Sequence, residues 1–179
     1  MRPRVLKMVS KFISKTRIRF APVWMGVLLA GTLCHAANNC PWLNEATASG
    51  LLGGDAVGEF TGGGADQPSE CVFTQKDATA VRTLRIRVQV MPDFKTGYQA
   101  ATQTCGTEVE PMRAIGNEAL LCSADDRKGA LGERVVGRVR DQILTITMTT
   151  TLKGDIHLTR PMLKTKISTA AEQVAGNLF

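Results

Sequence analysis

The sequence predicts an α+β fold: an antiparallel sheet with two or three helices packed on it, closed by two disulfides. Three observations point there. Residues 80–91 and 143–152 alternate apolar and polar side chains with period two, as half-buried strands do. Residues 109–152 break into short β-rich runs at Gly, Asn and Asp turn signals, the pattern of an antiparallel meander. Residues 93–106 and 159–178 instead place apolar residues at helical spacing.

The chain's 179 residues suit one domain. Residues 1–36 carry seven basic residues and no acidic one, and include an apolar run from Ala21 to Leu33 that leads into Cys34-His35-Ala36-Ala37. That order is the one a secretory signal peptide has, so cleavage is expected near Ala36, leaving residues 37–179 as a single exported domain. A retained anchor is the competing reading. Counting Phe20, the run is about 14 residues, short of the ~20 a spanning helix needs, and no retained span is expected. Lipidation of Cys34 would want a small residue before it, and Leu33 stands there.

Without the leader, Lys plus Arg falls from 22 to 15 while Asp plus Glu stays at 16. The net charge becomes −1 rather than +6, so the basic character belongs to the leader and gives no support for nucleic-acid binding. Four cysteines remain: Cys40, Cys71, Cys105 and Cys122. An even count in an exported chain implies disulfides. Of the three connectivities, Cys40–Cys71 with Cys105–Cys122 makes each pair bracket one helix-to-strand unit. Zinc usually draws on close cysteine pairs, and the gaps here are long, so no metal is expected.

In chain order, Asn39 is read as a cap and Pro41 as the first turn of a helix that ends at Gly53-Gly54. Residues 56–75 read as a hairpin around Thr61-Gly62-Gly63-Gly64, a mobile loop. A phosphate-cradling loop would need a helix start just after it, and Ala65-Asp66-Gln67-Pro68 follows instead. In the strand at 80–91, Leu84, Ile86, Val88 and Val90 face one way and Thr83, Arg85, Arg87 and Gln89 the other. Pro92 stops it, Asp93 caps a helix with Phe94, Tyr98, Ala101 and Cys105 on one side, and Gly106 ends that helix.

Within the meander, Gly116-Asn117 and Lys128-Gly129 mark turns, and Asp141-Gln142 is read as the loop of the last hairpin. Val135, Gly137 and Val139 face opposite Arg134, Arg138 and Arg140. Next, Leu144, Ile146 and Met148 face opposite Thr145, Thr147, Thr149 and Thr151. The closing helix has Pro161 in its first turn and a stripe of Leu163, Ile167, Ala170, Ala171, Val174 and Leu178, which suits core packing. Segments 40–91 and 93–152 each run helix then strands, which hints at a duplication.

No catalytic constellation is present. The exported part has one histidine, His157, and a triad cannot be argued from it. Asp125-Asp126 followed by Arg127-Lys128 reads as a solvated turn. All four cysteines are committed to bridges, and no cofactor is expected. Arg85, Arg87, Arg134, Arg138 and Arg140 form a candidate anion-binding face if their strands are neighbours; Glu108, Glu110 and Glu133 would balance it otherwise. The threonine row at 145–151 is read as β-propensity, since ice or sugar binding would need several aligned strands.

Several pieces together resemble a known family: Cys40-Pro41-Trp42-Leu43, Cys71-Val72-Phe73, the turn Ala114-Ile115-Gly116-Asn117-Glu118-Ala119, the strand pair from Val135 and Ile143, and the closing helix. They are similar to small exported domains of bacterial envelope lipoproteins. They are similar also to the extracellular sensor domains of some mycobacterial serine/threonine kinases, which are PsbP-like. The resemblance implies a PsbP-like sandwich and a non-catalytic role outside the cytoplasm, binding an envelope protein or a small or anionic ligand. Two other functions are carried forward: an exported hydrolase with carboxylates that sequence cannot pair, and a structural envelope protein that oligomerises through its sheet edge.

Overall fold

The computed structural model describes residues 39–64, 67–126 and 129–179. The expected leader lies outside them, as do Ala65, Asp66, Arg127 and Lys128. The elements run α1 (Glu45–Leu52), β1 (Ala56–Thr61), β2 (Ser69–Lys76), β3 (Val81–Val90), α2 (Phe94–Thr102), β4 (Val109–Met112), β5 (Glu118–Ser123), β6 (Leu131–Val139), β7 (Gln142–Thr150) and α3 (Arg160–Gly176). The strands form one antiparallel sheet in the order β1-β2-β3-β7-β6-β5-β4. The α+β class, the antiparallel sheet with helices on it, and the disulfides Cys40–Cys71 and Cys105–Cys122 are all present.

Period-two alternation gives the sheet two unlike faces. Leu84, Ile86, Leu144, Ile146, Met148 and Val135 line the inner face and are fully buried. On them sit the α3 stripe Leu163, Ile167, Ala170, Ala171 and Val174, and Leu51 and Leu52 of α1. Trp42 packs edge-on against Phe60, ring centroids 6.1 Å apart, beside the Cys40–Cys71 bridge. The opposite face carries α2 alone among the described helices. It lies over β6 and β7 on a small satellite core of Cys105, Cys122 and Val136, with Tyr98 and Ala101 against it. Since α1 and α2 lie on opposite faces, the two halves are not superposable repeats, and the hinted duplication is not seen in the fold.

Three boundaries differ from the sequence reading. Helix α1 begins at Glu45 rather than near Pro41, because Asn44 is the residue whose Oδ1 accepts the Thr47 amide at 2.8 Å. Helix α2 ends at Thr102, before Gly106, with backbone bonds from Thr104 and Cys105 tightening the turn. The β6–β7 loop is Arg140-Asp141, since Val139 pairs with Gln142. Arg140 takes a left-handed turn conformation at φ 56°, and its amide donates to Asn117 Oδ1 at 2.8 Å. That bond explains Gly116-Asn117: Gly116 sits at φ 61° with a Cβ position 2.3 Å from the Arg138 carbonyl oxygen, where only glycine fits.

One internal feature escaped the sequence reading. Arg82 shares the parity of Leu84 and Ile86 and points into the core, 2% exposed. Its guanidinium meets Asp155 through two bonds of 2.5 and 2.9 Å, Gln75 at 2.6 Å and Asp77 at 2.7 Å. Thr150, its register partner on β7, donates to Asp155 at 2.7 Å. The signal was present: a charge and a hydroxyl standing on otherwise apolar rows. The cluster anchors the 152–158 segment, and Asp155 also accepts the His157 amide.

Candidate functional site

The open face beside α2 forms a groove of about 680 Å³, within the 300–1,000 Å³ range of ordinary ligand sites. Its floor is built from the outward rows of three neighbouring strands: Thr83, Arg85, Arg87 and Gln89 of β3, Ile143, Thr145, Thr147 and Thr149 of β7, and Arg134 of β6. Its wall is the small-residue side of α2, Gly97, Ala100 and Ala101, continued by Thr104. Gly97 gives Met91 its place, because a Cβ there would lie 2.1 Å from the Met91 sulfur and that side chain would have to move.

The register brings together two features that are far apart in sequence. Thr147 pairs with Arg85 on one side and Arg134 on the other; Thr145 pairs with Arg87; Thr149 pairs with Thr83, which in turn pairs with Thr74 of β2. The threonine row is thus part of a hydroxyl array over three strands, flanked by guanidiniums. Arg85 and Arg87 are about half exposed, and Glu70 of β2 is their carboxylate partner, at 2.7 and 3.8 Å. Arg134 donates to the Thr104 carbonyl at 3.2 Å and so ties the end of the wall to the floor.

Of the five candidate arginines, Arg85, Arg87 and Arg134 line this groove. The other two do not join them. Arg138 bonds Glu118 at 2.7 Å and stacks on the Phe94 ring, 4.6 Å from its centroid. Arg140, lifted out of the strand by its turn, lies over Phe179 at 5.5 Å. Glu133, expected among the balancing carboxylates, is on the inner face and only 2% exposed. Glu70 takes that place, a residue to which the sequence reading assigned no role.

A second cleft lies at the other face, lined by Glu108, Glu110, Asp125, Glu133, Arg160 and Lys164 among others. Arg160, first residue of α3, bonds both Asp125 and Glu133, the latter at 3.0 Å. Burial pushes the Glu133 carboxyl up against the pull of Arg160. Burial is also the largest influence on Asp125, but there Arg160, the Gly132 amide and Ser123 together prevail and hold the carboxyl below its usual range. Two carboxyls moved in opposite directions is an acid–base pattern, yet one guanidinium bridges both, which is also how a helix end is clamped to a sheet. Asp125 further accepts the Gly132 amide at 2.9 Å, so the turn at 125–126 is braced rather than merely solvated.

His157 is exposed in the loop before α3. Among the described residues no group of three or more His, Cys, Asp or Glu could hold a metal ion, and no helix is long and apolar enough to cross a membrane. No family model, curated protein or solved structure matches the chain.

Proposed function

We propose that this is an exported, non-catalytic accessory domain that binds an anionic ligand in the groove between α2 and the open sheet face. The observation that carries the reading is the convergence of Arg85, Arg87 and Arg134 with the threonine array in one groove that has no carboxylate among its described lining residues. Guanidinium forks recognise phosphate and carboxylate through paired hydrogen bonds, and hydroxyls add neutral donors between them. Two disulfides accord with an oxidising compartment, the periplasm or the exterior. A sheet with helices packed on it is also what a PsbP-like sandwich would have, and that kinship is part of the proposal.

The sheet edges favour a groove over edge-to-edge assembly. On β1 the outward amides of Gly58 and Ala56 are occupied by Glu45 and Ser49 of α1, at 2.8 and 2.9 Å. On β4 the edge contains Pro111, which has no amide to offer. The test is charge reversal. R85E combined with R134E abolishes binding to anionic envelope polymers, while R138E with R140E leaves it within about twofold, as expected of charges outside the contact. The reverse pattern would refute the groove.

The Asp125–Glu133 cleft supports a second reading, an exported hydrolase. Its test is turnover of glycoside or ester substrates that E133Q removes; intact turnover in E133Q, or none in the native protein, leaves that cleft a structural clamp.

A further inference from the structure

We infer that the groove selects a soluble linear chain carrying phosphate charges at several points, and that Glu70 is the residue that enforces this selection; the inference rests on the anion-binding reading above. Glu70 lies directly across from Arg87 and diagonal to Arg85. Its two carboxylate oxygens reach Arg85 at 2.7 Å and Arg87 at 3.8 Å. The arginine side chains are 52% and 50% exposed, so their outer surfaces face the groove while the carboxylate holds them from β2. These two guanidiniums therefore already have a carboxylate, and it is tethered to the same sheet.

A ligand bearing one carboxylate would only exchange like for like, against an intramolecular competitor present at an effective concentration of about millimolar or more. It gains nothing by the exchange. A phosphate group brings more charge and more acceptor oxygens for the same two forks. A chain of such groups gains further by reaching Arg134. The register sets Arg85 and Arg134 on either side of Thr147. Strand spacing puts their Cα atoms about 10 Å apart, and Arg85 and Arg87 are about 7 Å apart along β3. Glu70 holds Arg85 from the β2 side while Thr147 and Thr104 hold Arg134 on the β6 side, so a flexible phosphate chain can engage all three arginines as they are placed.

Two more observations narrow the class. The hydroxyls of Thr145 and Thr149 make no hydrogen bond among the described residues, so they are open to phosphate or polyol oxygens. Among the described residues no aromatic side chain lines the groove, so nothing described there offers a stacking platform for a base or sugar ring. The arginines lie on a floor walled by α2, a shape that a chain can enter and a flat bilayer surface cannot follow.

Glu70→Gln removes the internal competitor and keeps its shape. Native protein and E70Q are titrated calorimetrically, at one fixed ionic strength, with short-chain inorganic polyphosphate, inorganic phosphate, acetate and phosphatidylglycerol vesicles. The native protein is expected to bind polyphosphate and ignore acetate. E70Q is expected to bind polyphosphate at least about fivefold tighter, from the loss of the Glu70 pairing with both arginines and of one like charge. It is also expected to gain measurable binding of inorganic phosphate. Equal affinities in the two proteins, or acetate binding by the native one, would overturn the role of Glu70 and leave the anion groove standing. Absence of polyphosphate binding in both would overturn the groove as well. Vesicles preferred over polyphosphate would overturn the soluble-chain assignment. Glu70→Thr, a good strand former, is a second variant expected to behave as E70Q does, should E70Q fold poorly.

Discussion

Arg82 shows what a single misplaced charge in a pattern can mean. Its guanidinium is buried and complete only with Asp155, Gln75 and Asp77 around it. Removing Asp155 by D155A leaves the buried Arg82 cation with only the partly exposed Asp77 carboxylate to balance it, and should cost about 3 kcal/mol or more in chemical denaturation. Replacing both partners, R82M with D155L, should cost far less than D155A alone, because the desolvated charge disappears with its partner. Asp155 also predicts acid behaviour. Burial works against its ionised form, but bonds from Arg82, Thr150 and the His157 amide prevail and bring the carboxyl from 3.8 to about 2. A folded-state value below the unfolded one means stability that is full above about pH 4 and lost as pH falls toward 2. D155N should be less stable at neutral pH and should lose this slope in pH-dependent melts; an unchanged slope would show that other carboxylates dominate. At Gly116, G116A should destabilise by about 1–3 kcal/mol, since it strains a positive φ and meets the Arg138 carbonyl.

Among the helices, α2 is the one least anchored by packing. Gly97 is its only buried residue, and the satellite core beneath it is small. The Cys105–Cys122 bridge therefore holds the wall of the groove, while Cys40–Cys71 belongs to the main core. Replacing Cys105 and Cys122 by serine should speed amide exchange across α2 and weaken ligand binding, with β3 and β7 still protected. Exchange accelerated equally throughout would mean that the bridge supports the whole fold. Element existence was legible wherever a periodic row was long, as in β3, β7 and α3. Boundaries were less so, for local reasons. Asn39 is the cap that the sequence reading names, whereas the fold uses Asn44, which receives the Thr47 amide. Likewise Arg140 enters the turn because Asn117, from a different hairpin, receives its amide, a contact that no local window contains.

For the molecule as a whole, the disulfide pairing and the two-faced sheet were readable from cysteine placement and parity. The groove was readable only in halves. The arginine rows of β3 and β6 and the threonine row of β7 each stood out, but nothing in the chain order says that β7 lies between β3 and β6. That insertion turns separate rows into one surface. Glu133 is kept from the arginines by parity, since it stands on the inner row with Val135, and the β2–β3 register hands them Glu70 instead. A charged groove with exposed arginines should bind its ligand less tightly as salt rises, because screening shortens to about 8 Å at physiological ionic strength. Affinity for polyphosphate that ignores salt would argue for an apolar contact instead.

The most direct measurement is amide chemical-shift mapping of the protein titrated with short-chain polyphosphate. Saturable shifts should centre on Arg85, Arg87, Arg134 and Thr145 to Thr149, with a weaker set along Gly97 to Thr104. Shifts centred instead on Arg160 and Lys164, or on Arg138 and Arg140, would contradict the groove as the binding site.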